Sequence, residues 1–182
     1  VRLVTTIKHL LAYVLSTKKG DLSHFQKVQV INLENYLLFD VHTKKNLELT
    51  ETMRLRERTY SLLWLLDKTK TAMGGRFLKQ TIENPSTDVK EIKRRYSVIE
   101  TLLTEFILRE DLKKYLNEVY DLERLSSRIC YGNLNGRDLI QLKNTLAVLP
   151  DIRKVLNSIN YSKNIETLEE VFNIIEESIN ET

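Results

Sequence analysis

The sequence predicts a mainly α-helical fold: an irregular multihelical array with one small β-hairpin near residues 28–40. The 182 residues include only two prolines and five glycines, whereas sheet-rich folds need frequent turns. Apolar residues recur at steps of three and four along most of the chain, as in helices that are buried on one side. No apolar run approaches the roughly 20 residues of a membrane span.

The first elements are a helix and the hairpin. Residues 3–15 have helical apolar spacing, and Gly20, after two lysines, predicts a C-cap. The segment VQVINLENYLLFD, residues 28–40, is rich in β-branched and aromatic residues. It predicts the hairpin, with a turn near Glu34 and Asn35. Because a lone hairpin is marginally stable in water, we expect it to pack on helices.

Two short helices should follow the hairpin. Asp40 stands where the strand stops, and its carboxylate is expected to cap a helix by accepting from the N–H near Thr43. The segment SLLWLLD, residues 61–67, is apolar on nearly all sides, which predicts a short buried helix.

The glycine pair in TKTAMGGRFLKQ, residues 69–80, has two interpretations, a phosphate cradle or a packing joint. A P-loop needs glycines four residues apart and a following Lys-Ser or Lys-Thr, which are missing, and a dinucleotide fingerprint needs a third glycine. The packing joint is therefore favoured. Thr71 then caps a helix whose Phe77 and Leu78 face the core, and Pro85 stops that helix.

The second half has cleaner helical spacing. Asp88 is predicted to start one helix and Asn135 another. The helix after Asn135 is expected to end at Pro150, with a new one starting at Asp151. The last apolar stripe predicts a helix that contains Ile165, Leu168, Phe172, Ile175 and Ile179.

The sequence contains little evidence for a catalytic or metal-binding site. The histidines at positions 9, 24 and 42 are not spaced as metal ligands, and no nucleophile motif is present. Cys130 is the only cysteine, so an internal disulfide is impossible and a reducing, cytoplasmic setting is expected.

The basic residues are scattered. The net charge is +3, and the basic clusters alternate with acids, which favours solvated helix faces. A weaker hypothesis is a nucleic-acid surface built from Lys93-Arg94-Arg95 and Lys113-Lys114, whose binding would fall steeply with salt.

The segment DLERLSSR, residues 121–128, concentrates charge. Asp121 is expected to cap a helix, and Arg124 and Arg128, four residues apart, share one helical face. They could form an anion clamp or pair with acids on a neighbouring helix, and we favour the pairing.

Four segments together resemble the MutS family of DNA mismatch-repair proteins. LDKTKTAMGGRFLKQTIENP resembles the family signature, LLFDVHTKKNLEL its upstream strand-to-helix segment, and DLERLSSR and NGRDLIQLKNTLAVLPDI its next helices. The matches occur in family order and cover most of residues 1–160. The chain departs from the family at Thr81, where an aromatic residue is usual, and at Ala72, where proline is frequent. The residues carried over as structural signature positions are Asp40, Asn46, Thr71, Met73, Gly74, Arg76, Pro85, Asp121, Arg124 and Arg128.

The resemblance implies a central core and lever region without catalysis. Residues 1–160 would form the core domain, and residues 161–182 would begin a lever helix that leads towards a clamp domain outside this chain. In the family, mismatch reading belongs to an N-terminal domain, and ATP hydrolysis with most dimer contacts to a C-terminal one. This chain would therefore hold no catalytic, cofactor or metal residue, with ATP and Mg²⁺ bound elsewhere in the protein.

The implied partners are the remaining domains of the same protein, a second MutS subunit, and mismatched duplex DNA through other domains, with no membrane. The implied task is to couple the nucleotide-binding domain to the DNA clamp. An alternative is a stand-alone helical module that binds a partner helix through an exposed apolar groove. A reading frame that continues into a Walker sequence would eliminate this alternative.

Overall fold

The computed structural model describes residues 2–17, 35–159, 161 and 164–179. The chain divides into two compact units, residues 1–32 and 33–182. The described part is mainly helical, as predicted, and contains no strand. No helix in these ranges is both long and apolar enough to cross a membrane.

The first unit contains helix α1, Arg2–Thr17, which confirms the predicted first helix. Its apolar side chains, among them Leu3, Leu10 and Leu15, are exposed. The expected C-cap at Gly20 lies outside the described residues.

The second unit is an array of helices. Its elements are α2 Val41–Asn46, α3 Leu62–Leu66, α4 Ala72–Glu83, α5 Val89–Thr104, α6 Phe106–Asn117, α7 Leu122–Tyr131, α8 Gly136–Ser158 and α9 Glu169–Ser178.

The first strand of the predicted hairpin and its turn at Glu34 lie outside the described residues. In the described part, Tyr36 forms an isolated antiparallel bridge with Ser86, and the Leu37 N–H donates to the Pro85 carbonyl at 2.8 Å. The segment before α2 is therefore paired with the connection between α4 and α5.

Helix α8 supplies the core and packs against α6 and α9. Leu146, Leu149 and Ile152 are buried, and residues of α6 and α9 such as Leu116 and Phe172 pack against them. Such burial stabilises by roughly 1.5–3 kcal/mol for each fully buried side chain, so α8 is the element around which the array is organised.

The predicted break at Pro150 is wrong, because α8 runs without interruption from Gly136 to Ser158. Proline inside a helix costs about 3 kcal/mol, since it removes one hydrogen bond and crowds the preceding turn. Leu146 and Leu149 before it and Ile152 and Val155 after it are buried, and their burial outweighs that cost.

Three further predictions, on the burial of α3, the exposure of Phe77 and the start of the last helix, also need correction. The helix at residues 61–67 exists as α3, but only Leu63 of it is buried, because within the described part of the chain α3 packs mainly against α4. Phe77 does not face the core. The residue is 58% exposed, and the Arg95 guanidinium lies over its ring, 5.6 Å from the ring centroid. The last helix begins after Leu168, which has φ of 49°, so Ile165 and Leu168 precede it.

Candidate functional site

The loop before α4 is closed by short polar side chains. The Thr71 hydroxyl accepts from the Gly74 N–H at 2.9 Å, which confirms the predicted N-cap. Asp67 accepts from the hydroxyl of Thr69 at 2.6 Å and from its N–H at 3.0 Å. These bonds, with a smaller contribution from Arg58, lower the pKa of the Asp67 carboxyl. The loop therefore holds its carboxylate charged and fixes the first turn of α4.

Gly74 makes room for this loop, whereas a side chain at Gly75 would meet the loop at close to ordinary contact distance. A Cβ at Gly74 would lie 2.9 Å from Thr71 Oγ1, and one at Gly75 would lie 3.4 Å from Thr69 Oγ1. The glycines thus lie at a packing contact, as predicted. Their close neighbours, however, are side chains of the preceding loop and not the backbone of a second helix.

Arg76 links α4 to the start of α7. Its guanidinium donates two hydrogen bonds to Asp121, at 2.8 and 2.7 Å, and lies 2.5 Å from a carboxylate oxygen of Glu123. The hydrogen bonds from Arg76 are the main reason that the pKa of Asp121 is lowered, and the acids raise the pKa of Arg76. Asp121 also accepts from the Arg124 N–H at 3.3 Å, so one carboxylate caps α7 and receives Arg76.

The two arginines of α7 have different partners. Arg128 forms an ion pair with Asp138 at the start of α8, whereas Arg124 is largely exposed and lies 3.5 Å from Asp121, the cap of its own helix. Asp138 is 4% exposed and exchanges capping-box hydrogen bonds with Asn135. Pairing with an acid of a neighbouring helix therefore holds for Arg128, whereas the acid beside Arg124 is the cap of its own helix.

A third ion pair joins α8 to α9. The Lys143 ammonium lies 2.9 Å from Glu176, and Lys143 is buried. With the Arg76–Asp121 and Arg128–Asp138 pairs, it completes an ion-pair series that runs from α4 through α7 and α8 to α9. Each pair crosses from one helix, or its cap, to the next, so the series fixes relative helix positions in addition to apolar packing.

An apolar cavity of about 580 Å³ lies beside this series. Its wall includes Met73 of α4, Ile129 of α7, Leu146 of α8 and Leu168 before α9. The same helices that the ion pairs join therefore also line one apolar space.

The other signature residues serve local structure. Asp40 accepts from Thr43 N–H at 2.7 Å and from its hydroxyl at 3.0 Å, which confirms the predicted cap of α2. Asn46 is the exposed last residue of α2, and the Pro85 carbonyl receives the Leu37 N–H. At the two positions of departure, the Thr81 hydroxyl donates to the Phe77 carbonyl at 2.8 Å, and Ala72 opens α4 directly after the cap.

Three residues of the basic clusters in α5 and α6 are paired with acids. Glu91 accepts from Arg94 and Arg95, and these bonds lower the pKa of Glu91 to about 2. Lys113 donates to Glu110 at 2.7 Å. The structure therefore does not favour a continuous basic surface here. In the described ranges, no group of three or more His, Cys, Asp or Glu residues could hold a metal ion.

Sequence reasoning missed Asp138 and Glu176 as partners. The spacing Asn135-x-x-Asp138 is a capping-box pattern, so the local role of Asp138 was accessible from sequence. Its pairing with Arg128, and that of Glu176 with Lys143, depend on tertiary packing and leave no local signal.

The protein-family model of MutS domain III matches residues 42–182 of this chain. The chain belongs to the MutS family. The matched residues include every helix of the ion-pair series, and they confirm the family that the sequence motifs indicated. MutS domain III is therefore the part of the family to which α4, α7, α8 and α9 correspond.

Curated MutS relatives support the same assignment. The chain is similar to the DNA mismatch repair protein MutS of Bacillus cytotoxicus, with 50% identity over 88% of this chain and 18% of the relative. It is 45% identical to MutS of Bacillus velezensis over 98% of this chain and 22% of the relative. It is 46% identical to MutS of Bacillus subtilis over 97% of this chain and 21% of the relative. The chain thus spans about a fifth of the length of these relatives.

Proposed function

We propose that this chain is the non-catalytic core and lever segment of a mismatch-recognition ATPase and couples a nucleotide-binding domain to a DNA clamp in mismatch repair. The ion-pair series carries the proposal. It joins four helices of a MutS domain III, α4, α7, α8 and α9, through paired charges. Coupling between distant sites requires packed elements that move together or switch between two arrangements.

The geometry supports a mechanical task in two ways. The two charge-assisted hydrogen bonds between Arg76 and Asp121 fix both the distance between the two side chains and their relative orientation. The apolar cavity beside the series gives the same helices space in which a second packing can form. A set of helices with fixed connections and an adjustable core suits transmission of a change in position.

We assign no catalytic residue and no cofactor to this chain. ATP and Mg²⁺ are proposed to bind to a separate domain of the whole protein. The proposed partners are the remaining domains of the same protein, a second MutS subunit, and mismatched duplex DNA held through other domains, in the cytoplasm. Residues 161–182 are proposed to begin the lever that leads to the clamp.

The coupling role is tested in the full-length protein with Arg76→Ala and the charge swap Arg76→Asp with Asp121→Arg. Three quantities are measured: the ATP hydrolysis rate, the affinity for mismatched DNA without nucleotide, and the factor by which ATP changes that affinity. We expect Arg76→Ala to reduce the third quantity and leave the first two nearly unchanged, and the swap to restore it in part. Because coupling is reciprocal, mismatched DNA should also change ATP affinity less in Arg76→Ala.

Lys154→Ala is the matched control, since Lys154 pairs with Asp151 at 2.9 Å inside α8 and joins no two helices. An ATP effect that is the same in wild type, Arg76→Ala and Lys154→Ala would overturn the coupling role. Separately, ATP hydrolysis by the purified 182-residue chain would overturn the assignment as non-catalytic.

A further inference from the structure

The loop before α3, together with α3 itself, presents a surface with the composition of a protein interface. Tyr60 is 77% exposed, Leu55 73% and Trp64 45%, although the sequence predicted that the α3 segment is buried. Aromatic residues, methionine and arginine are enriched at interface cores, and Trp, Tyr and Arg dominate binding hot spots. We name this surface the Arg54 patch; it consists of Met53, Arg54, Leu55, Arg56, Tyr60 and Trp64.

The backbone that carries the patch is fixed by its own hydrogen bonds. The Leu62 N–H donates to the Glu48 carbonyl at 3.0 Å and closes the base of the loop. At the tip, the Thr52 N–H donates to the Glu57 carbonyl at 2.8 Å, and the Met53 N–H donates to the Glu48 carboxylate at 2.7 Å. A surface that is ordered before binding loses less conformational entropy on association.

Two residues of the patch have unfavourable backbone conformations. Arg56 has φ of 53° and Tyr60 has φ of 71°, in the left-handed region that non-glycine residues rarely adopt. Such conformations cluster at binding and switch sites, where the surrounding structure holds them. Glycine would adopt either conformation without steric cost. At both positions the chain instead has a large side chain that is exposed.

A groove of about 380 Å³ adjoins the patch. Trp64 and Leu65 form its apolar wall, and Arg58 and Lys68 contribute cations. Asp67, which also lines the groove, forms an ion pair with Arg58. The groove thus combines an apolar wall with a cationic edge.

Charge and apolar exposure together indicate the partner. Residues 51–70 contain five basic and three acidic residues, and Arg54 and Arg56 form no ion pair within the described part of the chain. An acidic surface complements this surplus, whereas a second copy of the patch would place cation against cation. A nucleic-acid backbone would match the charge but offer nothing to the exposed side chains of Met53 and Leu55.

We propose that the Arg54 patch docks an acidic protein segment whose large apolar side chain enters the groove beside Trp64. This proposal is independent of the coupling role, because none of its residues belongs to the ion-pair series.

The test measures fluorescence anisotropy of a labelled peptide that alternates glutamate with leucine and phenylalanine, titrated with the 182-residue chain. We expect saturable binding that weakens with salt. Arg54→Glu with Arg56→Glu should weaken binding at least about tenfold, as should Trp64→Ala, since hot-spot residues contribute this much or more. Leu55→Ala, at a largely exposed position, should weaken binding without affecting folding.

The matched control is Lys90→Glu with Lys93→Glu, which makes the same charge change at exposed positions of α5. Circular dichroism and the thermal midpoint verify folding of each variant. The proposal is overturned if the peptide does not bind, if the control weakens binding as much as the Arg54 and Arg56 variant, or if a single-stranded oligonucleotide of equal charge binds more tightly. Self-association that Arg54→Glu with Arg56→Glu abolishes would also overturn it, in favour of a dimer interface.

Discussion

Arg76 and Asp121 are 45 residues apart in the sequence, and two hydrogen bonds of 2.8 and 2.7 Å join them. Through this contact the second turn of α4 is linked to the cap of α7. Because the pair is two-pronged, it depends on the planar guanidinium and not on positive charge alone.

Arg76→Lys is therefore expected to lower the thermal midpoint, although the charge is kept. Lysine cannot donate two parallel hydrogen bonds to one carboxylate. The decrease should be close to that of Arg76→Ala and should shrink in high salt, since the pair is partly exposed. Thermal unfolding followed by circular dichroism measures it, and a midpoint unchanged by Arg76→Lys would show that geometry is unimportant here.

The fold should lose stability in acid through Glu91. Its pKa is about 2, against an ordinary value of 4.5, because it accepts from Arg94 and then Arg95. A carboxylate whose pKa is lower in the folded state stabilises the fold above its unfolded pKa, and this stabilisation disappears as pH falls through the folded pKa. The Glu91 contribution should therefore be complete well above pH 4.5 and disappear between there and about pH 2.

Glu91→Gln should flatten this part of the acid-unfolding curve, measured by urea denaturation at several pH values. Glu100→Gln, at an exposed position of the same helix, is the control and should follow wild type. If the free energy of unfolding changes with pH equally in wild type and in Glu91→Gln, the prediction is contradicted.

The two glycines of α4 should respond differently to alanine. Gly75→Ala is expected to stabilise by up to about 1 kcal/mol, because alanine is the better helix former and the new methyl meets Thr69 Oγ1 only at 3.4 Å. At Gly74 the methyl would lie 2.9 Å from Thr71 Oγ1. It should displace the cap, whose loss costs about 1 kcal/mol, and cancel the gain.

A double-mutant cycle isolates this effect. In a Thr71→Ala background the hydroxyl is absent, so Gly74→Ala should become stabilising. The free energies of unfolding from urea denaturation give the coupling. Additive effects of the two substitutions would show that Thr71 does not set the limit at Gly74.

Thr145 should tolerate serine better than valine. It is fully buried; its hydroxyl donates to the Gln141 carbonyl at 2.9 Å and accepts from the Tyr120 N–H at 3.0 Å. Thr145→Val keeps the shape but leaves that N–H unpaired, which costs about 1–3 kcal/mol. Thr145→Ser keeps the hydrogen bonds and loses one methyl group, about 1 kcal/mol. Equal unfolding free energies for the two variants would refute a role for the hydroxyl.

Pro150→Ala should stabilise the chain. It restores an N–H that can donate to the Leu146 carbonyl, and interior proline costs about 3 kcal/mol. Greater freedom of the unfolded chain offsets roughly 0.4–1 kcal/mol of this gain, which leaves about 2 kcal/mol in urea denaturation. Arg153→Ala, at an exposed site of the same helix, controls for helix propensity. A destabilised Pro150→Ala would mean that α8 needs proline for its packing.

Local features of the fold could be predicted from sequence. The caps at Asp40, Thr71 and Asn135 were accessible because a capping side chain reaches an N–H only two or three residues ahead. The apolar period likewise identified most helices. What failed depends on distant packing: whether α8 passes through Pro150 is decided by the core on both sides of it, and the exposure of Phe77 by which elements reach it.

The candidate site was only half accessible for the same reason. Asp121 stood out as a helix cap and Arg128 as one of two arginines on a helix face, whereas Arg76 was identified only through the family resemblance. Their pairings join positions that are distant in sequence, and no spacing rule connects them. Within the Arg54 patch, Trp64 shows the opposite failure: it belongs to an apolar segment that normally indicates burial, yet it is 45% exposed.

Asp138 gives one carboxylate group two tasks at once. One oxygen accepts from the Asn135 N–H and helps to define where α8 begins, while the other receives the Arg128 guanidinium and fixes the last turn of α7. A single substitution at this position therefore frays the start of one helix and frees the end of another. Its phenotype in any genetic screen should be more severe than that of Arg128→Ala or Asn135→Ala alone.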